Sequence, residues 1–232
     1  MKFPTNLIVL MVLGLVSCQS DPDSLGFSST TAILRGMVYN TDRQPVSDVT
    51  VSLVEKDKVI KTTQSDIHGR YALPEVAYGS VTLTFGKKNF ETLTWAFSFK
   101  VPSQIVYVQM SNIDELLDKV ADSIQKRDWA TTNSYIDRVK KLDPNNTVVE
   151  YLRSQMQTRQ GQPEAAAATL EKIASQTDPT LAIELSLADL YQYKLASPEK
   201  ALIHLKKSLL LQDDVDVQAR VAELEKTVTN GQ

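Results

Sequence analysis

Residues 63–73 read Thr-Gln-Ser-Asp-Ile-His-Gly-Arg-Tyr-Ala-Leu. A polar turn, Asp66-Ile67-His68-Gly69, runs straight into an alternating stretch, Tyr71-Ala72-Leu73. Asp66 suits the turn because its carboxylate can fold back onto backbone N–H groups two residues on. Gly69 suits it because glycine takes positive φ without steric penalty. Tyr71 and Leu73 then share one face of a strand. A turn followed by period-two alternation predicts paired β-strands.

The flanking sequence repeats this pattern. Upstream, Val49, Val51 and Leu53 alternate with Thr50 and Ser52. Downstream come Val81, Leu83 and Phe85, then Leu93, Trp95, Phe97 and Phe99, then Val106, Val108 and Met110. Turn signals separate the runs, at Asn40-Thr41-Asp42, Lys56-Asp57-Lys58, Gly79-Ser80 and Gly86-Lys87-Lys88. About seven short strands over residues 31–110 fit an all-β sandwich.

The spacing also carries a family likeness. Gly36-x-Val38, Gln44-Pro45-Val46, Val49-x-Val51-x-Leu53, Thr63-x-Ser65-Asp66-x-x-Gly69-x-Tyr71-x-Leu73, Val76-x-x-Gly79, Leu83-x-Phe85 and Phe90 follow in order. The stretch resembles the carboxypeptidase regulatory-like domain, a transthyretin-like sandwich of seven strands. The resemblance implies no catalytic centre in this half. A calcium role for Asp66 is disfavoured, because Asp-x-x-Gly alone supplies too few oxygen ligands. His68 reads as a polar residue at a turn tip.

After Met110 the period becomes helical. Ser111 reads as an N-cap with an acid, Asp114, three residues on. Leu116, Leu117, Val120, Ala121 and Ile124 share one helical face, and Trp129, Thr132, Ile136, Val139 and Leu142 another. Asp143-Pro144 recurs as Asp178-Pro179, and Asp213-Asp214 stands at the next interval. Within each interval a short turn divides two helices, at Lys126-Arg127-Asp128, Gln160-Gly161-Gln162-Pro163 and Ala196-Ser197-Pro198. A period near 34 with two helices per unit resembles the tetratricopeptide repeat. Leu187-Ala188-x-x-Tyr191 and then Ala201, Leu205 and Ser208 carry that likeness best, with one extra turn residue expected in the third unit. Ala166, Leu170 and Ile173 carry it in the second. Residues 215–228, with Val217, Val221 and Leu224, read as a closing helix. The resemblance implies an all-α solenoid over 111–232 whose concave surface holds a protein partner.

The first thirty residues belong to neither domain. Lys2 precedes an apolar run of ten, Leu7–Val16, too short for a membrane span and suited to a secretory signal. Leu15-Val16-Ser17-Cys18 resembles the bacterial lipobox. It implies cleavage of residues 1–17, lipidation of Cys18, and a tether over 18–30. Gln19 after the cysteine, where an Asp would retain a lipoprotein on the inner membrane, favours the outer membrane.

Composition narrows the chemistry. The chain has 25 Lys plus Arg, 28 Asp plus Glu, two His and one Cys in 232 residues. Net charge is −3, so no basic surface for nucleic acid is expected. One cysteine excludes an internal disulfide and a Cys-based zinc site. His68 and His204 fall in different domains, and His204 reads as structural. No phosphate loop, nucleophile elbow or metal-binding helix motif is present. The expectation is an envelope lipoprotein with a protein-binding or scaffolding role, with no catalytic, cofactor-binding or metal-binding residue. Its rivals are an adhesion or carbohydrate-binding role for the sandwich, and an accessory role beside an envelope enzyme or transporter.

Overall fold

The computed structural model describes residues 30–230. Seven strands form two sheets. In the smaller, β1 (Thr31–Tyr39) lies between β4 (Arg70–Ala77) and β7 (Ile105–Gln109). In the larger, β2 (Thr50–Glu55) lies between β3 (Lys58–Gln64) and β5 (Gly79–Gly86), and β6 (Leu93–Phe99) lies beyond β5. All pairings are antiparallel except β1 with β7.

Alternation decides which side chains enter the core. Leu34, Val38, Val49, Val51, Leu73, Leu83 and Phe85 are fully buried between the sheets. The period slips once, in β4, where Leu73 and Val76 are both buried. Glu75 takes φ 52° there, and the β1–β4 register shifts between Ala32 and Leu34. The extra residue is a bulge, which restores the inward direction for Val76. The Asp66 turn forms as its residues require. Its carboxylate accepts the His68 and Arg70 N–H groups, each at 2.8 Å, and Gly69 has φ 72°.

Seven helices follow. They are α1 (Ile113–Gln125), α2 (Trp129–Leu142), α3 (Thr147–Arg159), α4 (Pro163–Gln176), α5 (Leu181–Asp189), α6 (Pro198–Leu211) and α7 (Val215–Asn230). They pack as hairpins, α1 with α2, α3 with α4 and α5 with α6, and α7 closes on α6. One core joins the first three helices around Leu116, Ile136 and Val149. A second joins α4 to α7 around Leu170, Leu187 and Leu205. The fold is a sandwich followed by helical repeats.

The first helix starts one residue later than Ser111 suggests. Asn112 is the N-cap, and its side chain accepts the Glu115 N–H at 2.8 Å. Ser111 is unavailable because its backbone is still extended, its carbonyl accepting the Glu91 N–H at 2.9 Å. Phe90 and Asn112 form an isolated β-bridge, and the Ile113 N–H donates to the Asn89 carbonyl at 3.0 Å. Glu115 completes the cap by accepting the Asn112 N–H at 3.2 Å. Its other oxygen accepts the Thr41 N–H, 74 residues away, at 3.3 Å. Arg138 of α2 donates two bonds to Glu91, at 2.8 and 2.5 Å. The helices therefore begin inside the hydrogen-bond network of the sandwich.

Gly36 sets one tolerance of the β core. A Cβ there would lie 2.3 Å from the Tyr71 hydroxyl and from the Val106 carbonyl. The Tyr71 hydroxyl is buried without a hydrogen-bond partner, and burial raises its pKa above the ordinary tyrosine value. Gly36→Ala is expected to cost about 1–3 kcal/mol by overpacking. Tyr71→Phe removes an unsatisfied group and is expected to gain about 1 kcal/mol. Urea unfolding of the two variants checks both signs.

Candidate binding groove

The first helices of successive hairpins lie side by side. α1 packs on α3. The Tyr151 hydroxyl of α3 meets the Ser186 hydroxyl of α5 at 3.4 Å. Between α3 and α5 runs a cleft of about 190 Å³, with Gln155 and Thr158 on one wall, Ser186 and Asp189 on the other, and Leu170 at its base. Tyr193 stands at the rim, 62% exposed.

Local helix geometry puts Tyr193 there. α5 continues into one π-helical turn, Leu190–Lys194, in which the Leu195 N–H donates to the Leu190 carbonyl at 2.9 Å. Nine α-helical and five π-helical residues replace the 13 of α1 and of α3. The extra residue of the third unit therefore sits inside the helix, not in the following turn as the sequence suggests. A π turn absorbs one residue by widening the helix and re-aiming its side chains. Tyr191 turns inward and is buried, while Tyr193 turns out.

Arg220 of α7 fixes this rim. Its guanidinium donates to Asp189 at 2.8 Å and to Gln192 at 2.6 Å, and lies 5.4 Å from the Tyr193 ring centroid. A cation held over an aromatic face steadies both groups. The groove thus offers an exposed aromatic ring, hydroxyl and amide groups, and a carboxylate already engaged.

Behind the groove lies a polar cluster that sequence reading missed. Glu184 is buried in α5, and its carboxylate meets His204 Nδ1 of α6 at 2.7 Å. The Tyr191 ring stacks on His204, with centroids 5.7 Å apart. The Tyr191 hydroxyl donates to Glu171, and the Lys200 ammonium sits 4.8 Å from the ring centroid. Burial, then the bond to Glu171, pushes the Tyr191 pKa up to about 12. The Asp128 carboxyl is held below its usual range by its hydrogen bonds to Thr131 at the start of α2. Among the described residues no three His, Cys, Asp or Glu side chains converge to hold a metal. His68 is exposed in the β3–β4 turn, and Cys18 lies outside the described residues.

The family model of the carboxypeptidase regulatory-like domain matches residues 33–105. The sandwich thus resembles a carboxypeptidase regulatory-like domain. No curated protein matches the chain. Solved structures similar to it align with about half of its length. A tetratricopeptide repeat protein from Parabacteroides merdae is 21% identical, over 51% of this chain and 47% of that one, with TM-score 0.45. The TPR2AB domain of yeast Sti1 in complex with pHSP90 is 17% identical, over 51% and 48%, with TM-score 0.43. A TPR protein from Thermus thermophilus is 22% identical, over 48% and 61%, with TM-score 0.39. This chain thus spans about half to three-fifths of the length of these proteins.

Two outcomes follow for the cluster. Replacing only Glu184 or only His204 with Leu strands its partner in the core and is expected to cost about 3–5 kcal/mol. The double Leu variant is expected to cost less than either single change, read by denaturant unfolding. For Tyr191 the folded pKa exceeds the ordinary value of 10.0, so its stabilising share is complete below pH 10 and lost as pH climbs toward about 12. Tyr191→Phe should lose less stability across that alkaline interval.

Proposed function

We propose that this chain is a non-catalytic, protein-binding module held at a bacterial envelope membrane. The cleft between α3 and α5 carries the binding part of this reading. Its rim presents an exposed tyrosine braced by an arginine, two of the residue types enriched where protein partners bind tightly. Its walls supply hydroxyl and amide groups for hydrogen bonds to a partner's backbone. The carboxypeptidase regulatory-like domain is the platform from which the helices start, joined to them by the β-bridge at Phe90 and Asn112.

The membrane part rests on Leu15-Val16-Ser17-Cys18 directly after the apolar run. In this reading residues 1–17 are removed, Cys18 carries the lipid, and residues 18–30 link it to β1. Several acyl chains on one cysteine hold a protein stably, where one would not. Among the described residues no helix is long and apolar enough to cross a membrane. The outer membrane is the favoured address, from Gln19.

Both parts are testable in cells. Cys18→Ser should abolish lipid labelling and release the chain from membranes; unchanged retention would remove the anchor from the proposal. A photo-crosslinking side chain placed at Tyr193 should capture a discrete envelope protein that the same group at Leu210, 87% exposed outside the groove, does not. Tyr193→Ala should weaken that interaction about tenfold. Equal capture from both positions would refute the groove.

A further inference from the structure

The two sheets of the sandwich differ by one strand. The order β4-β1-β7 faces the order β3-β2-β5-β6. β4 packs beside β3 across the short link 65–69, whereas the link 100–104 joins β6 to β7 without packing them side by side. Three strands leave the margins of four incompletely covered, and the two margins are built differently.

At β3 the margin is polar. Its inward positions are Lys61 and Thr63, paired with Leu53 and Val51. The Lys61 ammonium reaches across to β4, donating to the Pro74 carbonyl at 3.1 Å and to the Glu75 carboxylate at 2.9 Å. Lys58, Lys61, Pro74 and the bulge at Glu75 are the devices that normally keep an edge from pairing with another chain.

At β6 and β7 none of these devices is present. The strands read Leu-Thr-Trp-Ala-Phe-Ser-Phe and Ile-Val-Tyr-Val-Gln, with no charge and no proline. Leu93, Trp95 and Phe97 face inward, paired with Phe85, Leu83 and Val81. Yet Trp95 is 40% exposed, whereas its partner Leu83 is fully buried. Ile105 and Tyr107 are also exposed. The Met110 N–H donates to Tyr39 of β1, so alternation turns the Ile105 and Tyr107 N–H groups toward the open side. Arg35, paired with Ile105 across β1 and β7, is exposed and has no ion pair among the described residues. Lys100, also exposed, lies in the link between the strands.

We propose that this opening receives one extended segment of another protein, added as a fourth strand beside β7. Its inward side chains are apolar and meet Trp95 and Phe97. Its outward side chains include a long carboxylate that reaches over Ile105 to Arg35, two strand spacings or about 9.6 Å away, a gap that two long side chains span together. Backbone hydrogen bonds supply affinity and the alternate side chains supply selectivity. This surface is separate from the groove between α3 and α5, and either can fail without the other.

The probe is acetyl-Val-Glu-Val-Glu-Val-Thr-Val-amide, added to the full chain carrying Trp129→Phe, which leaves Trp95 as its single tryptophan. The alternating peptide should shift Trp95 emission saturably and slow hydrogen exchange at the Ile105 and Tyr107 amides. A version with Lys for Glu should bind about tenfold more weakly, and Arg35→Glu should reverse that preference. Tyr107→Pro removes one outward donor without touching the β1 ladder and should abolish binding. If that variant does not fold, the Arg35→Glu reversal decides. The proposal is overturned if the two amides are already protected in the dilute free chain, which would mean that its own residues fill the opening. It is overturned equally if protection grows with chain concentration, which would mean a second copy. Binding of an isomer with its valines contiguous as tightly as the alternating peptide would also overturn it.

Discussion

Glu115 is the residue on which the two halves meet. Its carboxylate accepts one N–H from its own helix cap and one from the β1–β2 loop. A helix start leaves several N–H groups without partners, and a capping box satisfies two of them. Here the same side chain also satisfies a donor in the sandwich. A shift of the helix start would cost the Thr41 N–H this partner, and a shift of the loop would free one oxygen of the capping carboxylate. The β-bridge at Phe90 and Asn112 and the Glu91–Arg138 pair add constraints at the same seam. This small set of bonds fixes where α1 and α2 leave the sandwich.

Much of this was legible in the residues. Period-two alternation located the strands, and the interval between the Asp-Pro marks located the hairpins. Caps and turn residues located the turns within each hairpin, and the miss at Ser111 is instructive. A serine followed by an acid has the right chemistry for a cap. Whether it caps depends on what its backbone already pairs with, and Glu91 lies too far off in sequence to be suspected.

The remaining misses share a cause. Glu184 is the fourth residue of α5, where α1 has Leu116, and a carboxylate there reads as solvated. Its partner His204 arrives from the next helix, and nothing local announces the pair. The extra residue of the third unit was visible as a longer interval, but helix and turn could each have taken it. Trp95 shows the same limit in a strand. Alternation says which way its ring points, not whether a strand lies opposite to cover it.

One consequence concerns mechanical load. β1 and β7 run parallel with five paired positions, from Arg35–Ile105 to Tyr39–Gln109. The chain enters the domain through β1 and leaves it for the helices through β7. A pull between residue 30 and the helices therefore slides these strands past each other, straining their hydrogen bonds together instead of peeling them one at a time. The sandwich is a shear clamp between whatever holds its beginning and whatever the helices hold.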